Sequence, residues 1–179
     1  MRNMLQAFCL LLGVLVVTVA SADVGATLSG DEREKYIEEI KLLQATDDET
    51  AALLMQLNYL LQEHALLAGY QVGQAQPSDY LYEASIGEPG LLLIRQQISD
   101  VQRNQIRGSS ERIPVFGISP FFAYDCSVNK FECQISHAES KTLLLRIVRQ
   151  PDAAAELTRV LSFLVRSMQR EAQASVLSQ

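Results

Sequence analysis

The sequence predicts a mainly α-helical fold: a helical bundle of about five helices with one disulfide-stapled β-hairpin at about residues 113–136. Two observations predict the helices. Apolar residues recur at steps of three and four over long stretches, and Ser or Thr followed three residues later by Glu marks helix starts. A third predicts the hairpin. Around Asn129-Lys130 the side chains alternate at period two and set two cysteines opposite each other.

The chain opens on Arg2, and no acidic residue precedes Asp23. Leu10 to Val19 is apolar apart from Gly13 and Thr18, and Ala20-Ser21-Ala22 has the A-x-A form of a cleavage site. Together these predict a secretory signal peptide over residues 1–22, an exported protein, and the bacterial periplasm as its compartment. Taking residues 1–22, with Arg2, from the 179-residue chain of net charge −6 leaves 157 residues and a charge of −7. That length can bury a core and is expected to form a single domain over 23–179, with no membrane span after cleavage. The cleaved chain keeps Cys126 and Cys133, an even number in an exported protein, and one disulfide between them is expected.

Ser29-Gly30-Asp31-Glu32 has the form of a capping box, and Tyr36, Ile37, Ile40 and Leu43 follow at helical spacing. Thr46-Asp47-Asp48-Glu49 repeats the signature, so one helix should end near Gln44 and the next begin near Thr46. In the second helix Leu53, Leu57, Leu60, His64 and Leu67 form a seam. Gly69 to Pro77 reads as a loop, and Ser78 to Ser85 as a short helix. Pro89 and Gly108 suit the start and stop of a third long helix, with Leu91, Ile94, Ile98 and Val101 on one face. Pro151-Asp152 opens the last helix, whose stripe is Leu157, Val160, Leu161, Leu164, Val165 and Met168. Residues 139–149 fit either helix or buried strand. The capping-box form of Ser136 to Glu139 favours helix, since no strand of matching length stands out as a partner.

In the hairpin, paired residue numbers sum to 259 when the chain folds back at Asn129-Lys130. Tyr124 then opposes Ile135, Cys126 opposes Cys133, and Val128 opposes Phe131, all on one apolar face. Asp125 with Gln134 and Ser127 with Glu132 form the polar face. A four-residue loop, Val128 to Phe131, is an equal alternative, because Asn-Lys is a poor two-residue turn.

The chemistry-bearing patterns are few. Catalytic dithiols favour C-x-x-C, whereas six residues separate Cys126 and Cys133, so the pair reads as a staple. His64 and His137 fall on different elements, so no metal site is expected. No G-x-S-x-G elbow or phosphate-binding glycine loop occurs. No cofactor is expected, and the acidic balance argues against nucleic acid. Charge is unevenly spread. Residues 23–100 hold fourteen Asp/Glu and four Lys/Arg, whereas residues 101–179 hold seven and ten.

Two candidate contact surfaces follow. One is the aromatic stretch holding Ile113, Val115, Phe116, Ile118, Phe121 and Phe122, which could equally close the core. The other is the acidic surface of the first two helices, with Asp31, Glu34 and Glu38 as its named residues. These features lead to the expectation of a non-enzymatic, exported protein-binding protein. Its expected role is an accessory or structural component of a bacterial envelope assembly, such as secretion, conjugation or pilus machinery, with protein partners in the envelope. The alternatives are a periplasmic inhibitor or immunity protein that blocks a toxin or hydrolase, and a carrier of a small apolar ligand.

Overall fold

A computed structural model describes residues 30–100, 102–128 and 130–177. The expected signal peptide lies outside the described residues, as does Val101. The architecture is α+β, with three α-helices and two three-stranded antiparallel sheets among the described residues. This corrects the expected five-helix bundle.

Three predicted helices form, though Leu43 of the first apolar face is exposed and the second is capped by Asp48 rather than Thr46. Helix α1 spans Gly30–Leu43 and buries Ile37 and Ile40. Helix α2 spans Glu49–Glu63, and its N-cap is Asp48, whose carboxylate accepts the Ala51 N–H at 2.8 Å. Its Leu53, Leu57 and Leu60 are buried as the seam requires, but the helix ends before His64 and Leu67. Helix α3 spans Pro151–Leu177, opening with proline at a first-turn position whose N–H would have no helical partner. All six residues of its predicted stripe are at most 3% exposed.

The other predicted helices are strands. Strand β1 spans Ser78–Ile86, β2 Leu91–Asp100 and β3 Gln105–Pro114, in the order β1-β2-β3. The spacing of Ile94 and Ile98 misled, because residues four apart share a face in a helix and in a strand alike. Pro89 does not start a helix here. It sits with Gly90 in a turn closed by Leu91 N–H to Glu88 C=O at 2.9 Å, and Gly90 takes φ +79°. Pro-Gly at the two central positions is what a type II turn demands. Gly108, read as a helix stop, lies inside β3 opposite Gln97.

The second sheet has the order β4-β5-β6, with β4 Phe122–Asp125, β5 Glu132–His137 and β6 Leu143–Val148. Tyr124 pairs with Ile135 and Asp125 with Gln134, so the hairpin register is the one read from the alternation. The pairing stops at Asp125 and Gln134, which makes the connection longer than either turn considered. Val128 and Phe131 are exposed rather than part of the apolar face. The segment 139–149 holds strand β6, and its partner is β5, which pairs on both sides. A tight turn at Lys141, with φ +57°, replaces the capping box expected from Ser136 to Glu139.

The two sheets meet at a short extended segment after α2. Ala65 bridges Ile147 of β6, and Leu66 bridges Tyr80 of β1. Helix α2 packs on β1 and on α3, and α3 packs on β4 and β5. The core fills the space between the helices and the joined sheets, with Leu53, Leu57, Leu161, Leu92, Ile135 and Ile147 fully buried. Truncating any one of these leucines to alanine is expected to cost about 2–5 kcal/mol. Tyr36 fastens α1 to α3: its ring meets Phe163 edge-on at 5.4 Å and its hydroxyl donates to Glu156. Burial and the Glu156 carboxylate push the Tyr36 pKa up.

Candidate functional site

A sheet edge presents unpaired backbone N–H and C=O groups, and folded proteins usually cover them. The edge of β1 is covered. Tyr80 N–H donates to Leu66 C=O at 2.9 Å, and the Asn58 side chain satisfies both backbone groups of Ala84, at 2.7 and 2.9 Å. The edge of β6 is covered too, with Val148 N–H donating to His64 C=O and Arg146 N–H to the Tyr82 hydroxyl. Strand β4 is only four residues long and lies against α3.

Strand β3 is treated differently. It is ten residues long, and residues 105–112 are all exposed. Among the described residues, only β2 pairs with it, so its outer edge is open. The side chains along it are Ile106, Arg107, Ser109, Ser110, Glu111 and Arg112. Only Ile113 turns into the core.

Beside this edge runs a polar groove. The sheet face that is buried at Ala84, Ile94 and Ile113 opens, farther along, into a cleft of about 300 Å³. Tyr80, Tyr82, Gln96, Ser109, Glu111 and Arg146 line it. A second cleft of about 370 Å³ shares Tyr80 and Arg146 and adds Gln71, Gln134, Glu132 and Lys130. Between them the Arg146 guanidinium sits 5.7 Å from the Tyr80 ring centre and pairs with Glu132 at 3.2 Å. The Tyr82 hydroxyl accepts from Gln96 Nε2 at 2.7 Å, and burial raises its pKa. Amides, hydroxyls, the Arg146–Glu132 pair, Glu111 and Lys130 give the two clefts groups that can donate and accept hydrogen bonds. Neither cleft lies between helices, where an apolar-ligand carrier would hold its cargo.

The predicted site residues fall out unevenly. Cys126 and Cys133 form the expected disulfide, with Cys133 wholly buried. The aromatic stretch divides. Ile113, Val115 and Phe122 belong to the core, Ile118 and Phe121 are partly buried, and Phe116 is 50% exposed. Helix α3 fixes that stretch from beneath. Gln169 donates to the carbonyls of Val115 and Ile118 at 2.7 and 3.1 Å, and Arg166 lies 4.8 Å from the Phe121 ring centre. Asp31, Glu34 and Glu38 are exposed on α1, Glu38 pairing with Lys41 at 2.9 Å. Across the two charge halves, Arg170 reaches Glu49 at 2.6 Å, and Arg33 shares that carboxylate.

His64 ends α2, and His137 stacks on Phe122 with ring centres 5.0 Å apart. Burial lowers the His137 pKa, against the opposing pull of Glu111. Among the described residues no group of three or more His, Cys, Asp or Glu is placed to hold a metal ion, and no helix is long and apolar enough to cross a membrane. The open edge of β3 was missed because Gln105 to Arg112 carries neither an apolar alternation nor a helical one. The signal that could have found it is Glu88-Pro89-Gly90, which places a turn where a helix start was read. No protein-family model matches the chain, and neither curated proteins nor solved structures show significant similarity to it.

Proposed function

We propose that this chain is a non-enzymatic, exported protein-binding protein that takes an extended polypeptide along the open edge of β3. Its setting is a bacterial envelope assembly, in the periplasm, where it acts as an accessory or structural component. The observation that carries the reading is the contrast between edges: β1 and β6 are covered by Leu66, Asn58, His64 and Tyr82, whereas among the described residues nothing covers the outer edge of β3. Strand addition gives affinity through main-chain hydrogen bonds and specificity through alternate side chains. The adjoining groove would receive the side chains that point to that face. The Cys126–Cys133 disulfide is compatible with export.

The test is photocrosslinking in the native envelope from Ile106 or Arg112, with Leu42 on α1 as an exposed control. Capture of protein from the β3 positions and not from Leu42 supports the reading. Capture of nothing from β3 overturns it. A second reading draws on the exposed carboxylates of Asp31, Glu34 and Glu38: an inhibitor or immunity protein that presents them to a basic cleft. It predicts a tight one-to-one complex crosslinked from α1 instead.

A further inference from the structure

We propose that the strand received by β3 is the β3 of a second copy of this chain. This rests on the edge-binding reading above and names the partner at that edge. The argument is charge complementarity in a defined register. Two copies meeting antiparallel about a twofold axis at Ser109 place Arg107 opposite Glu111, and by symmetry Glu111 opposite Arg107. Both residues are exposed and project from the same face of the strand, so each opposed pair is an attraction.

The neighbouring positions agree. Gly108 meets Ser110, two small residues that let the backbones approach. Ile106, 69% exposed and apolar, meets Arg112, whose aliphatic stem can cover it. The pairing runs from Gln105 to Ile113 and stops at Pro114, which has no N–H to donate. Edges that are protected against self-pairing usually carry charge of one sign, which repels a second copy. Here the two signs stand four residues apart and are symmetric about Ser109, so self-pairing is favoured. The product is a six-stranded sheet, β1-β2-β3 continued by β3-β2-β1 of the partner. A seam of one strand pair belongs to the small, weak class of interfaces, so the dimer should exchange readily with monomer.

The experiment is sedimentation equilibrium of the purified, disulfide-bonded protein over a concentration series. Wild type should show a reversible monomer–dimer equilibrium. Arg107→Glu and Glu111→Arg each set like charges opposite each other twice per dimer, and each should weaken association by about tenfold or more. The double variant restores opposite charges and should return the wild-type constant. Unchanged thermal unfolding in all three variants shows that the fold is intact. A wild type that stays monomeric overturns the inference, and so does a dimer indifferent to the single reversals or one not rescued by the double. If self-pairing fails while β3 still crosslinks a different protein in the envelope, the edge-binding reading stands alone. If β3 crosslinks nothing, both fall.

Discussion

The hydroxyl of Tyr82, on β1, accepts the backbone N–H of Arg146, on β6, at 3.1 Å. This bond crosses between the two sheets beyond the point where Ala65 and Leu66 join them. A backbone N–H at a sheet edge needs a partner, and here a side chain from the other sheet supplies it. Tyr82→Phe removes the acceptor and leaves the ring. With the Arg146 N–H and the Gln96 amide both losing their acceptor, it should cost about 1–2 kcal/mol in urea unfolding. Stability equal to wild type would show that water replaces the bond.

Gly90 and Phe116 set a second test. A Cβ on Gly90 would lie 2.2 Å from Cε2 of Phe116, and the residue holds φ +79°. Gly90→Ala should therefore cost about 1–2 kcal/mol from the backbone conformation, plus the displacement of the ring. Adding Phe116→Ala should recover the second part only. Strictly additive losses in thermal unfolding would mean that the ring yields freely.

The disulfide offers a third. Cys126 to Cys133 closes a loop of eight residues. Replacing both cysteines with alanine should lower stability by about 2.5 kcal/mol on the chain-entropy model. Reductant should destabilise wild type by a similar amount and leave the double variant unaffected. An equal response of both proteins to reductant would contradict this.

His137 should add to the acid sensitivity of the fold. Its folded-state pKa lies below the ordinary value because burial disfavours the imidazolium, so the unfolded chain takes the proton first. Its contribution is fully present above about pH 6.5 and is lost as pH falls from there toward the folded-state value. In His137→Gln the stability curve should be flatter across that window. A variant with the same slope as wild type would assign the loss to carboxylates alone.

Legibility from sequence tracked the physics of each segment. The stripe of α3 was readable because Leu157, Val160, Leu161, Leu164, Val165 and Met168 satisfy the helical period and fail period two. The hairpin register was readable because alternation and the cysteine pair agreed on it. Leu91 to Ile98 was misread because its apolar spacing fits both periods, and the decisive mark was local, at Pro89-Gly90. Segment 143–148 fits helix and strand alike in sequence, and its partner is the second edge of β5, a strand that the hairpin already pairs on its first edge. The open edge of β3 was invisible because its character lies in what other chain segments leave uncovered. Asn58 and Leu66 cover β1 from far away in sequence, and only the fold places them there.

The position of α3 in the chain has a consequence for synthesis. It follows all the other described elements, yet it supplies the wall against which Leu53, Leu57 and Ile135 are buried. A chain emerging from its N-terminus can form two helices and six strands and still have no closed interior. Until Leu157 to Met168 arrive, those strands keep a wet apolar face. A product ending near Gln150 is thus an unfinished shell, prone to clump with its neighbours.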